Sequence, residues 1–122
     1  MRISGAESLV MEALWASSPL TAEEIINVVA GPQAWSEGTV KTLINRLLKK
    51  KAIAAEPVGR RYSYRPLVRR EDYIHAESQG LLDRLFDGRL TPLVSHFSQR
   101  QSLSDKDVAE LKRLIAEIEN GR

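Results

Sequence analysis

Apolar residues recur at helical spacing along most of this chain, and the pattern breaks at capping and turn residues. Ile3, Ala6, Leu9, Val10, Ala13 and Leu14 lie three and four apart, which predicts an amphipathic helix from about Ile3 to Ala16. Ser17-Ser18-Pro19 stops it. Thr21-Ala22-Glu23-Glu24 has the form of a capping box, in which a hydroxyl and a carboxylate satisfy each other's orphan amides. Ile25, Ile26, Val28 and Val29 are the expected buried side of the second helix, and Gly31-Pro32 its expected end. Ser36 is an N-cap, and Glu37 stands in the first turn, where an anion suits the helix dipole. A third helix is expected from Glu37 to about Lys50, burying Val40, Leu43, Ile44, Leu47 and Leu48. Its opposite face carries Gly38, Lys41, Thr42, Asn45, Arg46 and Lys49.

The period then shortens. Ile53-Ala54-Ala55-Glu56 and Tyr62-Ser63-Tyr64-Arg65 read as two strands joined by Pro57-Val58-Gly59-Arg60-Arg61, a hairpin with a basic tip. Three helices followed by a hairpin predict a winged helix-turn-helix over residues 1–68. The segment from 69 to 122 returns to the helical period, so the fold class is mainly α with a small β-hairpin. A long helix from about Arg70 carries Tyr73, Ile74, Leu81, Leu82, Leu85 and Phe86 on one side, and Gly88 closes it. Thr91-Pro92 reads as a cap and first helical residue for a short helix holding Leu93, Val94 and Phe97. Ser104-Asp105-Lys106-Asp107 starts the last helix, with Val108, Leu111, Leu114, Ile115 and Ile118 as its stripe.

Composition adds mainly exclusions. With 122 residues and no cysteine, a disulfide scaffold, a thiolate metal site and a cysteine nucleophile are all ruled out. The apolar runs are too short to span a membrane, and Met1-Arg2-Ile3-Ser4-Gly5 enters the first helix with no apolar signal region. A soluble cytoplasmic protein without membrane partners is expected.

Charge is more informative than its net value of +2 suggests. From Gly38 to Arg65 there are eight basic residues (Lys41, Arg46, Lys49, Lys50, Lys51, Arg60, Arg61 and Arg65) against the single acid Glu56, a local excess of +7. That block covers the third helix and the hairpin, and it suits a polyanion. A helix fits the DNA major groove and reads bases with its N-terminal exposed residues. Gly38, Lys41, Thr42 and Asn45 are therefore the candidate base readers. Ser36, Thr39, Arg46 and Lys49 are candidate phosphate contacts, with Arg60 and Arg61 lying along the backbone from the hairpin. The apolar stripes after Arg70 are too thin for a separate stable domain. Ile74, Leu81, Leu82, Leu85, Phe86, Val94, Phe97, Val108, Leu111, Leu114, Ile115 and Ile118 are thus expected at a two-fold dimer interface.

Three runs carry a resemblance: Ala6-Glu7-x-x-Val10-Met11-x-x-Leu14-Trp15, Thr21-Ala22-x-Glu24-Ile25, and Ser36-x-x-Thr39-Val40-Lys41-Thr42-Leu43-Ile44-x-Arg46-Leu47. Together with Lys49-Lys50-Lys51-x-Ile53, Tyr62-Ser63-Tyr64 and Leu103-Ser104-x-x-x-Val108-x-Glu110-Leu111, they resemble the penicillinase-repressor family. That family includes beta-lactamase and methicillin-resistance repressors and copper-responsive repressors of the same fold. The resemblance implies a dimeric repressor on palindromic operators, with Ser36, Thr39, Lys41, Thr42 and Arg46 as DNA contacts. Gly38 departs from the pattern, where a longer polar residue often stands. The resemblance also places a proteolytic switch, acted on by a sensor protease, at an Asn-Phe bond. Here the matching pair is His96-Phe97, keeping the Phe and not the Asn. The copper branch relies on paired Cys-x-Cys motifs, so a copper thiolate switch is excluded and no cofactor is expected.

Two other classes compete. For an enzyme, only His75 and His96 are available as histidines, and Glu71 and Asp72 beside His75 read as a solvated helix face rather than a metal site. A winged helix can also serve as a protein-interaction adaptor without specific DNA binding. An adaptor, however, has no need of the basic block.

Overall fold

The first apolar stretch folds, in the computed structural model describing residues 2–121, as helix α1 (Gly5–Ala16). Its start is set by a capping box that spacing alone did not signal. The Ser4 hydroxyl accepts the Glu7 N–H at 3.1 Å, and the Glu7 carboxylate accepts the Ser4 N–H at 2.8 Å. Helix α2 (Ala22–Gln33) opens on the expected box between Thr21 and Glu24. It does not stop at Gly31-Pro32. The proline stands in the last turn, where its missing N–H costs a single helical bond. Closure comes later, at Ala34, whose φ of 54° is left-handed. The Ala34 N–H bonds to the Gly31 carbonyl and the Trp35 N–H to the Ala30 carbonyl, the paired bonds of a Schellman end. Val28 is not on the buried side either, being 52% exposed. Between its neighbours α2 buries a stripe only wide enough for Ile25 and Val29, one turn apart.

Helix α3 (Glu37–Lys49) begins at Ser36, whose hydroxyl accepts the Thr39 N–H at 3.2 Å, and ends at Lys50. The hairpin follows as β2 (Ile53–Val58) and β3 (Arg61–Pro66), longer strands and a tighter turn than the sequence suggested. Val58 pairs with Arg61, leaving a two-residue turn, Gly59-Arg60. Gly59 has a φ of 62°, the conformation a two-residue hairpin turn asks of its first residue. Pro57 sits inside β2, which is tolerated because β2 is an edge strand. A third strand was not foreseen. β1 (Leu20–Thr21) pairs antiparallel with β3, Leu20 opposite Tyr64 and Thr21 opposite Ser63, giving the order β1-β3-β2. This strand ties the start of α2 to the hairpin.

The core lies between these elements. Val10, Met11 and Leu14 of α1, Ile25 and Val29 of α2, and Val40, Leu43, Ile44 and Leu47 of α3 are buried together, with Ala52 and Ile53 entering from the hairpin. Trp15 and Trp35 flank it, half-buried, and the Trp15 indole N–H donates to the Val68 carbonyl at 2.8 Å. Helix α4 (Arg70–Leu85) begins in this unit, with Tyr73 against Trp15 at a ring separation of 5.4 Å.

The chain divides into two compact units, Met1–Ile74 and His75–Arg122. In the second, α5 (Leu90–Gln99) is capped at Arg89, two residues before the expected cap at Thr91. Pro92 then falls in the first turn, where its missing N–H is one of the four that no helix satisfies internally. Helix α6 (Asp105–Asn120) starts as expected, the Ser104 hydroxyl accepting the Asp107 N–H at 3.0 Å. None of α4, α5 and α6 contains a fully buried residue.

One ion pair belongs to the core. The Lys50 ammonium at the end of α3 donates to the buried Glu7 carboxylate and, at 2.7 Å, to the Arg2 carbonyl. Burial pushes the Glu7 carboxyl up, but Lys50 and the Ser4 cap outweigh it and hold the group below its ordinary value of 4.5. Because the folded value is depressed, the pair's contribution is present above pH 4.5 and is lost as pH falls through the lower folded value. Lys50→Met strands a buried carboxylate and should cost about 3 kcal/mol near neutral pH. Denaturant titrations of both proteins should show that gap narrowing below pH 4.5, and a pH-independent gap would contradict the assignment.

Candidate nucleic-acid interface

Burying one side of α3 leaves the other free. Ser36, Gly38, Thr39, Lys41, Thr42, Asn45, Arg46 and Lys49 are all exposed on it. At 100° per residue, Gly38, Thr42, Asn45 and Lys49 run along the middle of this face. Lys41 flanks them on one side, with Thr39 and Arg46 on the other. The hydroxyls are largely used within the helix itself. The Ser36 hydroxyl caps the Thr39 N–H and lies 3.0 Å from the Thr39 hydroxyl, and the Thr42 hydroxyl donates to the Gly38 carbonyl at 2.9 Å. The uncommitted donors of the face are therefore the amide of Asn45 and the charged ends of Lys41, Arg46 and Lys49.

The basic block does not act as one patch. Lys50 is drawn into the domain by Glu7, Arg61 bonds Glu23 of α2 at 3.0 Å, and Arg65 bonds Glu56 across the hairpin at 2.8 Å. Among the described residues, Lys41, Arg46, Lys49, Lys51 and Arg60 make no ion pair. Arg60 is at the hairpin turn, as expected. Arg61 is instead the first residue of β3 and is turned toward α2.

An open cleft of about 450 Å³ separates α3 from the hairpin, with Lys41, Glu37, Thr21, Glu23, Arg61 and Tyr62 on its walls. Tyr62 was not foreseen as part of this surface. It is 56% exposed, whereas Tyr64, on the same side of β3, packs against the core. The alternation of Tyr62 and Tyr64 around the buried Ser63 places both rings on one side of β3, and the sequence alone does not say which of them the core takes.

The proposed interface residues of the second half are also accessible. Ile74, Leu85, Phe97, Val108, Leu114, Ile115 and Ile118 are exposed, and Leu81, Leu82, Phe86, Val94 and Leu111 are half-buried. Leu93, Val94, Phe97, Leu103, Leu111 and Leu114 line an apolar groove of about 270 Å³ between α5 and α6. His96 and Phe97 lie inside α5, not in an extended segment.

A capped, outward-facing basic helix preceded by α2 and followed by the β2-β3 hairpin, whose sheet β1 completes, defines a winged helix-turn-helix. The chain belongs to the penicillinase repressor family, whose sequence profile matches residues 3–117. The penicillinase repressor of Bacillus licheniformis is 33% identical over 119 residues, which cover 98% of this chain and 93% of that protein. The methicillin resistance regulatory protein MecI of Staphylococcus aureus is 30% identical over 113 residues, covering 93% and 92% respectively. Among solved structures, the Bacillus licheniformis BlaI monomeric form in complex with the blaP half-operator matches with a TM-score of 0.54. It is 34% identical and covers 60% of this chain and 89% of that one.

The sorting of charges has a measurable consequence. In anisotropy titrations of a random duplex at several salt concentrations, Arg46→Ala and Arg60→Ala should each flatten the salt slope by about 0.9. Lys50→Met should leave that slope unchanged, since its charge is spent inside the domain. An equal effect from all three would mean that DNA meets the basic block without distinction.

Proposed function

We propose that this chain is a cytoplasmic transcriptional repressor that binds a palindromic operator as a homodimer, with α3 in the major groove and the wing on the backbone. The observation that carries the reading is the two-sided character of α3. Its inner face is apolar and buried, and its outer face presents an amide and three cations to solvent. Lys41 and Asn45 donate to base edges, Asn45 in the paired geometry that suits adenine. Arg46, Lys49 and Arg60 hold phosphates and set the register. Tyr62, beside Lys41, supplies a further hydroxyl where the wing meets the backbone.

Support for the dimer comes from the second unit. No residue of α4 to α6 is fully buried, while Leu114, Ile115 and Ile118 stand about half exposed along one side of α6. A second copy covers such a stripe most economically, because a two-fold axis makes one surface serve twice. Two recognition helices would then sit roughly 34–36 Å apart, one turn of DNA, which calls for a palindrome. The half-operator bound by a monomeric BlaI fits the same arrangement, one subunit to each half-site. Among the described residues no helix is long and apolar enough to cross a membrane.

Leu114→Asp and Ile118→Asp test the assembly. Both side chains are half exposed, so the single chain should fold, while a buried aspartate at the two-fold interface should separate the subunits. Sedimentation should show monomers that keep half-site binding and lose at least about 100-fold on the full operator, in line with linked binding sites. Dimers persisting in both variants would place the interface elsewhere. For reading, Lys41→Ala and Asn45→Ala should weaken operator binding by about 1–3 kcal/mol and barely alter binding to random duplex.

A further inference from the structure

The middle of the α3 face carries little to hydrogen-bond with at its leading end. Gly38 is in the first turn of the helix and in the region that enters a groove first. Its backbone is ordinary helix, and a Cβ added there would meet only the Ser36 hydroxyl oxygen, at 3.8 Å. Neither backbone conformation nor packing within the chain therefore requires glycine. Glycine in a helix costs stability relative to alanine, and what it provides here is a backbone open to close approach from outside. One turn on, Thr42 points its hydroxyl back to the Gly38 carbonyl. That bond takes the only donor of the exposed Thr42, so its methyl is the part of the side chain left without a polar role. Gly38 and Thr42 thus form a small patch without free donors, between Lys41 on one flank and Asn45 behind.

We infer that Gly38 and Thr42 form a methyl-reading notch: the bare Gly38 backbone lets α3 approach the groove floor closely, and the Thr42 methyl packs against the 5-methyl of a thymine. The inference rests on the operator-binding reading above and names what one part of that surface selects. In the major groove, thymine alone among the four bases offers a methyl group, so a donor-free apolar contact is enough to distinguish it. Lys41 and Asn45 read the neighbouring positions by hydrogen bonds. The notch acts instead by apolar contact, and a cytosine at the same place offers it only a C5–H without the methyl.

The test uses the full-length protein and an operator selected from random duplexes. Each thymine of one half-site is replaced in turn by deoxyuracil, which removes only the 5-methyl. One replacement should weaken wild-type binding by about four-fold, the worth of a buried methyl. The same replacement should have no effect on Thr42→Ser, which keeps the hydroxyl and its bond to Gly38 but lacks the methyl. Gly38→Ala provides an independent readout with opposed signs. It should raise Tm by a few degrees, yet weaken operator binding about ten-fold, the loss of one good base contact. Equal sensitivity of wild type and Thr42→Ser to every deoxyuracil, or unchanged operator binding by Gly38→Ala, overturns the notch while the operator reading stands. Failure to select any preferred duplex removes the operator reading itself, and the notch with it.

Discussion

Helix α3 presents its polar face outward because its apolar face has nowhere else to go. Val40, Leu43, Ile44 and Leu47 are locked against α1 and α2, and the start of β2 closes the end of the same core. Full burial of such side chains is worth roughly 1.5–3 kcal/mol each, an upper bound for a chain already partly collapsed. Turning α3 by one residue would expose two or more of them. That would cost a large fraction of the 5–15 kcal/mol by which a domain is usually stable. The orientation of Lys41, Asn45 and Arg46 is therefore a by-product of core packing. The surface proposed to meet DNA needs no contacts of its own to be held in place.

Electrostatics then divides the basic residues into different tasks. Lys50 shares a block of three lysines with Lys49 and Lys51, yet it alone turns inward, to a carboxylate that also caps α1. That one pair joins the end of α3 to the start of α1, and it leaves only Glu7 Oε2 as a buried side-chain oxygen without a partner among the described residues. The exposed pairs are of another kind. Arg61 with Glu23, and Arg65 with Glu56, are open to solvent and worth at most about 1 kcal/mol each. Such pairs set where a guanidinium waits without binding it firmly, so phosphate can compete for Arg61.

Much of this was legible in the amino-acid sequence, for physical reasons that differ from element to element. Helices α3 and α6 announce themselves twice, by a serine N-cap and by a sustained apolar stripe, and both start where those signals place them. The end of α2 was misjudged because proline and glycine usually stop a helix. Here the stop is made by Ala34 in a left-handed conformation, which no residue type advertises. β1 was invisible because two residues have no periodicity. It pairs Leu20 with Tyr64, the ring that packs against the core, while Tyr62 stays exposed. The partner of Lys50 lies 43 residues away, a separation that no local pattern spans. Of the candidate site, the α3 residues follow from helical geometry once its buried face is known. The division of the cations between solvent and protein partners had to be seen in three dimensions.

The most direct test of the account is selection from a pool of random short duplexes, read by fluorescence anisotropy at two salt concentrations. A dimeric reader built on α3 should enrich a palindrome with half-sites about one helical turn apart, bound tighter than random duplex by ~10³ or more. Binding that remains weak, steeply salt-dependent and blind to sequence would reduce the α3 face to a polyanion-binding surface. No binding even at low salt would contradict the account outright and leave the fold serving as a protein-interaction adaptor.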